Sequence, residues 1–386
     1  MKICAVIAEY NPLHNGHIYH IKKARELTGC DFLVLAMSGS FTQRGEPAIC
    51  SKWQRASWAL QAGFDLVIEL PCFYAVSSAE SFARGAVKLL DGLGVCESLC
   101  FGSETPSADV LIKAAKAQLS PGFPAALKRS LKDGNTYARA VQHATGGSSD
   151  ADAALSSPNS ILAIEYIKSL ISLNSGMEPV PVERIPYNEN VGSASDIRQI
   201  ARESMPTGYV PEYVLESLKN ERVFIEHFDF AAVSELRRLG ASGIANLRGV
   251  SEGLHNRIYA AARERGSISG VIAAAKTRRY LYTRLQRIIT SALLGITSDM
   301  ERRIATDGYP VYARLLGFKR AAAPLLKSIK DAASIPILTK AADYNKLLPK
   351  ECHSLFLLDC LATDLHELAA GREAAGRDFT QRLIIE

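Results

Sequence analysis

Residues 3–20 read ICAVIAEYNPLHNGHIYH, and the reading of this stretch decides the fold. The opening apolar run has no polar interruption, as in a strand buried on both faces. A polar turn with Asn11 and Pro12 comes next, and then HNGHIYHIKKARELTG reads as a helix beginning near Asn15. Ile18, Ile21 and Leu27 are expected on one helix face, and Gly29 can close its end. Three histidines, His14, His17 and His20, fall where strand passes into helix. A helix gains no propensity from histidine, so the cluster asks what anion it faces.

The same alternation continues outward. CDFLVLAMSG, DLVIELP and VCESLCFGSE read as further strands, with SKWQRASWALQAGF and SAESFARGAVKLLDGLG as the helices between them. Apolar strands alternating with helices argue for a parallel sheet covered on both faces. A more polar helical segment near 107–147 reads as an insertion, followed by a Gly/Ser/Asp-rich loop, the helix of SPNSILAIEYIKSLISLNSG and a fifth strand in PVPVERIP. Beyond residue 205, helical segments dominate, with no clear strand before SIPILTK. The expected organisation is a Rossmann-like α/β domain over 1–204 and a mainly helical, basic domain over 205–386.

Bulk composition narrows the class. The chain has 386 residues, 47% hydrophobic and 22% charged, which suits a globular protein of two or three domains. No apolar run is long enough for a membrane span, and nothing resembles a cleavable leader, so a cytoplasmic protein is expected. Eight scattered cysteines without a CxxC pair read as reduced thiols, with no metal site. The formal net charge of +5 is modest, but KTRRYLYTRLQR at 276–287 concentrates Lys276, Arg278, Arg279, Arg284 and Arg287 without an acid between them. Read as one helix, it interleaves Tyr280 and Tyr282 with the cations, as a nucleic-acid surface requires. Arg248, Arg257, Arg263 and Arg265 add charge nearby in sequence. A solvated charged face is the plain alternative.

The loop after the first strand of such a sheet is a natural ligand site, and free N–H groups at a helix start attract phosphate. Gly16 permits close approach, and His14 and His17 can donate to phosphate oxygens, which would keep them charged. Neither GxxxxGK[ST] nor GxGxxG is present. HNGH resembles the HxGH signature of the nucleotidylyltransferase superfamily, whose members attack the α-phosphate of a nucleoside triphosphate and expel pyrophosphate. GSASDIRQI at 192–200 is similar to that superfamily's second signature through Ser193, Ser195 and Arg198. Hydroxyls there cap a helix, and an arginine neutralises transition-state charge.

The likeness extends along the chain. IAEYNPLHNGHIYH, MSGSFTQRGEPAI, FGSE, SPNSILAIEY, VERI, GSASDIR, KTRRYLYTRLQRI and YARLLGF together resemble the tRNA(Met) cytidine acetate ligase family. The resemblance implies an ATP-dependent ligase. Acetate and ATP give acetyl-adenylate and pyrophosphate, and the acetyl group passes to N4 of the wobble cytidine, C34, of elongator tRNA(Met). The fold implied is an α/β Rossmann-like parallel sheet with an HxGH core and a mainly α C-terminal domain. The ATP residues implied are Ile7, Ala8, Glu9, Tyr10, Asn11, Pro12, Leu13, His14, Asn15, Gly16, His17, Ile18, Tyr19 and His20, then Gly102, Asn159, Arg184, Ile185, Ser193, Ser195 and Arg198. His14, His17 and Arg198 are the implied catalytic set, and Mg²⁺ is expected with the ATP. Leu13 stands where the family has Phe, and ILTKAADYNKL departs from the family's stretch there.

The polar loop SGSFTQRGEPA brings Gln43 and Arg44 to the rim of HNGH, where they can hold acetate, RNA or triphosphate. Asp65 and Glu69, around the third strand, read as structural. Two other readings stay open: transfer of a nucleotide to a small phosphorylated metabolite, and RNA binding with an inactive nucleotide pocket.

Overall fold

The computed structural model describes residues 1–135, 137–145, 155, 157–184, 192–251, 253–277 and 280–386. Ile185, Arg278 and Arg279, expected at the ATP site and on the basic surface, fall outside the described residues.

Among the described residues, eight strands form one sheet: β1 (Ile3–Ala8), β2 (Phe32–Ser38), β3 (Leu66–Leu70), β4 (Ser98–Ser103), β5 (Glu178–Glu183), β6 (Ala313–Phe318), β7 (Ile337–Leu338) and β8 (Ile384–Ile385). The order is β5-β4-β1-β2-β3-β6-β7, with β8 pairing β6. The first five strands are mutually parallel, and β6 is antiparallel to β3. The chain builds β2 and β3 on one side of β1 and then returns to place β4 and β5 on the other. The strand order therefore reverses beside β1, which opens a crevice at the carboxyl ends of β1 and β4.

The helices that position the site are α1 (Asn15–Thr28), α2 (Lys52–Ala62), α3 (Ala79–Asp91), α4 (Pro158–Ser172), α5 (Ala194–Glu203), α6 (Ile268–Ala275), α7 (Tyr282–Leu294) and α8 (Lys350–Ala369). Strand side chains alternate between two cores. Ile3, Ala5 and Ile7 enter one, with Phe82, Phe101 and Tyr166. Cys4 and Val6 enter the other, with Ile21, Trp58 and Leu60. Burial on both faces explains why these strands read as unbroken apolar runs. Helices over Ala108–Leu119, Phe123–Lys132 and Tyr137–Ala144 occupy the expected insertion. Among the described residues, no helix is long and apolar enough to cross a membrane.

Four details differ from expectation. Leu27 is 58% exposed, and Ala24 takes its place against the core, because the buried stripe of α1 is narrow. YARLLGF contains β6, so the segment beyond 204 returns to complete the sheet. This strand is short and flanked by helices, which hides its period. The basic stretch is not one helix: α6 ends at Ala275, Lys276 is its exposed C-cap, and α7 begins only at Tyr282. Arg248 is buried and donates to the carbonyls of Phe73 and Val76, so it adds no surface charge.

Asp65 and Glu69 are structural, as expected. Asp65 pairs with Arg25 at 2.6 Å and accepts from Leu33 N–H at 2.8 Å. Glu69 lies in a buried ion cluster with Lys52 and Arg314.

Candidate active site

His14 is the N-cap of α1, as the strand-to-helix reading requires. Its Nδ1 accepts from Gly16 N–H at 3.1 Å, and His17 Nδ1 accepts from His14 N–H at 3.2 Å. Two imidazoles thus form a reciprocal cap, the role that Ser and Glu play elsewhere. The rings stack with centroids 3.7 Å apart, and Tyr10 packs edge-on against His17 at 4.8 Å. With both Nδ1 atoms accepting, each neutral ring carries its proton on Nε2.

Burial, with Arg184 nearby, holds His14 and His20 down to about 4. Burial, reinforced by His14 and His20, holds His17 well below its ordinary value. The expectation of charged rings therefore does not describe the unliganded protein. These histidines are neutral donors, and the helix N-terminus supplies fixed positive potential. A ring NMR titration of unliganded protein is expected to show His14 neutral from pH 8 down to about 5. A folded-state value below the unfolded one means that the unfolded chain takes up these protons first. Folding stability should therefore decline as pH falls below about 6.5, where unfolded histidine begins to charge.

These residues line a cavity of about 350 Å³ at the carboxyl ends of β1 and β4. Ile7, Ala8, Glu9, Tyr10, Asn11, His14, Gly16, His17, Tyr19, His20, Gln43, Arg44, Gly102, Asn159, Arg184 and Arg198 all reach it. Other expected residues do not. Leu13 is wholly buried in the core, as an apolar anchor for the turn. Pro12 and Ile18 support the loop without lining the cavity, and Asn15 donates to Gly208 carbonyl at 2.8 Å. Ser193 caps α5 by accepting from Asp196 N–H at 3.1 Å. Ser195 lies within 3.4 Å of both Arg44 and Arg198 and steadies those guanidinium groups.

Arg198 donates to Asn11 carbonyl at 2.8 Å and pairs with Glu46 at 2.6 Å. The second signature is thereby tied to the first across the crevice. The loop between β2 and α2 is fastened from both sides. Inward, Gln43 N–H donates to Glu9 Oε1 at 2.6 Å and Gln43 Nε2 to Ser77 carbonyl at 3.0 Å. Outward, Thr290 of α7 donates to Gly45 carbonyl at 2.6 Å and Arg287 to Gln43 carbonyl at 3.4 Å. Gly45 has a φ of +78°, and a Cβ there would lie 2.9 Å from the Arg287 backbone, so only glycine fits. Arg287 is therefore largely buried against the loop rather than free on a basic face. Arg284 is likewise engaged, with Gly249 carbonyl and Ser251.

Sequence reasoning missed part of the site. Glu104 Oε1 accepts from Asn159 Nδ2 at 2.5 Å and from Arg184 at 3.3 Å, so one carboxylate sets two cavity-lining residues. Its position in FGSE, just past β4, was the available signal. Ala79, Phe82, Phe101, Leu162 and Tyr166 also line the cavity. Their spacing is that of ordinary core residues, so no local pattern marks them.

A family model described as HIGH Nucleotidyl Transferase matches residues 1–381. The chain is 39% identical to the tRNA(Met) cytidine acetate ligase of Acetivibrio thermocellus and 38% identical to that of Clostridium tetani, covering all of both chains in each case. The crystal structure of Thermotoga maritima TmcAL bound with alpha-thio ATP superposes with a TM-score of 0.93 at 31% identity, covering 100% of this chain and 99% of that one. Motifs, cavity and full-length likeness agree: the chain belongs to the HIGH nucleotidyl transferase family, in its tRNA(Met) cytidine acetate ligase branch.

Proposed function

We propose that this protein is an ATP-dependent tRNA acetate ligase. It activates acetate as acetyl-adenylate and transfers the acetyl group to N4 of the wobble cytidine of elongator tRNA(Met). The observation that carries this reading is the convergence of HNGH, Arg184 and Arg198 on one cavity, in a chain alike over its whole length to such ligases. Acetate is a poor acyl donor because oxide would have to leave; adenylation replaces oxide with AMP. Acetate attacks the α-phosphorus in line with pyrophosphate. The Nε2–H donors of His14 and His17, the N-terminus of α1 and Arg198 meet the charge that develops.

Among the described residues, no group of three or more His, Cys, Asp or Glu side chains is disposed to hold a metal. Magnesium would accordingly fit as a companion of the triphosphate, held by phosphate oxygens and water, where it supplies charge neutralisation. Gly102, Asn159 and Arg184, set by Glu104, take the adenosine side. A requirement for tRNA and ATP together suits a cytoplasmic enzyme.

The exposed Lys276, at the end of α6, supports an RNA approach from that side. Lys276→Ala is expected to weaken tRNA binding and reduce its salt slope by about 1. Arg287→Ala is expected to slow acetyl-adenylate formation as well, because it loosens the Gln43 loop. Filter binding across a salt series and pyrophosphate release report the two effects separately. The function itself is tested by incubating the protein with ATP, labelled acetate and Mg²⁺, with and without bulk bacterial tRNA. ATP-dependent label in tRNA as N4-acetylcytidine is the expected result. ATP binding without labelled RNA would turn the assignment toward a small-metabolite transferase or an inactive RNA binder.

A further inference from the structure

The cavity is lined by two kinds of surface. Gly102 lies against His20 and Arg184, on the face of the sheet that α1 covers. The preceding residue, Phe101, belongs to the opposite core, because successive strand residues point to opposite faces. Its ring centroid is 5.8 Å from that of Tyr166, and Phe82, Leu162 and Ala79 also reach the cavity. One surface is polar and cationic, suited to a nucleotide. The other is aromatic and apolar, and its charged member is Glu9.

Glu9 is unexpected in a site that receives two anions, a triphosphate and acetate. Among the described residues, the only other carboxylate lining the cavity is Glu183, which is exposed. Glu9 Oε1 is held by Gln43 N–H at 2.6 Å, which fixes the plane of the carboxyl. Its Oε2 accepts from no described residue. The backbone below is also fixed: Glu9 carbonyl accepts from the buried Arg55 at 2.7 Å. An acceptor aimed into a nucleotide cavity, beside aromatic rings, calls for an N–H donor on a planar ring.

We infer that Glu9 receives the acceptor base: its free oxygen accepts a hydrogen bond from the exocyclic amine of cytosine and takes an amine proton during acetyl transfer. This rests on the acetate-ligase reading above. A carboxylate accepting from cytosine N4 selects cytosine over uracil, which offers a carbonyl oxygen there. Phe82, Phe101 and Tyr166 provide the apolar wall that an extruded base requires. In the step, the N4 lone pair attacks the acetyl carbonyl carbon. The bond from that carbon to the phosphate oxygen breaks, and AMP leaves with the electron pair. One N4 proton passes to Glu9 Oε2, and the product amide keeps the other.

The surroundings suit a base of this kind. Burial pushes the Glu9 carboxyl up from its ordinary range, opposed by Gln43 N–H, Arg198 and Arg44 and reinforced by Glu46. Tyr166, on α4, and Arg55, on α2, are further titratable neighbours, and Tyr10, His14, His17 and His20 line the same cavity. A carboxylate raised toward neutrality accepts protons more effectively than an ordinary one.

The test separates the half-reactions in the full-length protein. Acetate-dependent exchange of pyrophosphate into ATP, without RNA, reports activation. Single-turnover transfer from synthetic acetyl-adenylate to bulk bacterial tRNA, across a pH series, reports the second step. Glu9→Gln keeps an acceptor for Gln43 N–H. It is expected to slow transfer by about 10²-fold or more, to slow transfer at least about tenfold more than exchange, and to abolish the rise of the transfer rate with pH. Glu9→Asp should restore part of the transfer rate and the pH limb. Equal loss of exchange and transfer in Glu9→Gln, or unimpaired transfer in Glu9→Gln, would overturn the inference. Should Glu9→Gln fail to fold, absence of the pH limb in Glu9→Asp would do the same. Absence of acetate-dependent exchange in the wild type would instead overturn the ligase reading.

Discussion

Replacing Arg198 with alanine is expected to lower acetate-dependent pyrophosphate release by about 10²-fold or more. Arg198 sits on the first turns of α5, with its side chain only 14% exposed, and its guanidinium is aimed by Asn11 carbonyl at 2.8 Å and Glu46 at 2.6 Å. A donor already oriented in the cavity proposed to hold the triphosphate costs no reorganisation when charge develops, and removing one such donor typically costs about 10²–10³-fold in rate. The substitution also leaves Glu46 without its cation beside the proposed triphosphate site, which adds repulsion to the lost attraction. His17→Ala is expected to match it, since the ring provides an Nε2–H and caps His14 N–H at 3.2 Å. Exchange of labelled pyrophosphate into ATP at saturating acetate reads both variants. Wild-type exchange in either one would remove that residue from the reacting centre.

The largest effect on stability is expected at Lys52. Its side chain is wholly buried, with its ammonium 2.8 Å from Glu69 and 2.7 Å from Asp378. Arg314 joins the same pair of carboxylates. Against the cost of burial, Lys52 and Arg314 hold the Asp378 carboxyl below its ordinary range. Burial and Glu69 instead push Asp359 upward, beside Tyr312. Lys52→Met removes one cation and leaves buried negative charge uncompensated. Breaking such a cluster costs on the order of 3–5 kcal/mol, far more than an exposed pair contributes. Urea unfolding should show a large fall in midpoint with little change in slope. A midpoint within error of wild type would show that the cluster adds nothing net. The cluster also bears on the site: a Cβ at Gly39 would lie 2.4 Å from Glu69 Oε1. The loop that carries Gln43, Arg44 and Glu46 therefore starts directly on the cluster.

Much of the turn-and-helix frame of the cavity was legible in sequence. The helix start at Asn15, the αL cap at Gly29, and the turn that places His14 and His17 all depend on close neighbours in the chain. The two signatures could be paired because each is a strand end or a helix cap, and a parallel sheet brings such ends to one edge. The aromatic wall was not legible. Phe82, Phe101 and Tyr166 have the spacing of core residues, and only the strand order turns part of that core into a cavity wall. The basic stretch misled for a related reason. Its cations suggested an open face, but Arg287 packs against Gly45 and donates to Gln43 carbonyl, 244 positions away in the chain.

The sequence by itself determined the alternation of strands and helices, the histidine-bearing turn into α1 and the family, because each rests on periodicity, caps or contiguous motifs. Only the tertiary structure decided that residues 313–318 join the sheet of the first strands, and that Lys52, Glu69, Arg314 and Asp378 share one buried cluster. It likewise decided that Glu9 stands in the cavity with one oxygen held by Gln43 N–H and the other accepting from no described residue. Such arrangements join residues far apart in the chain. Their energy comes from burial and charge pairing, which exist only once the chain has closed on itself.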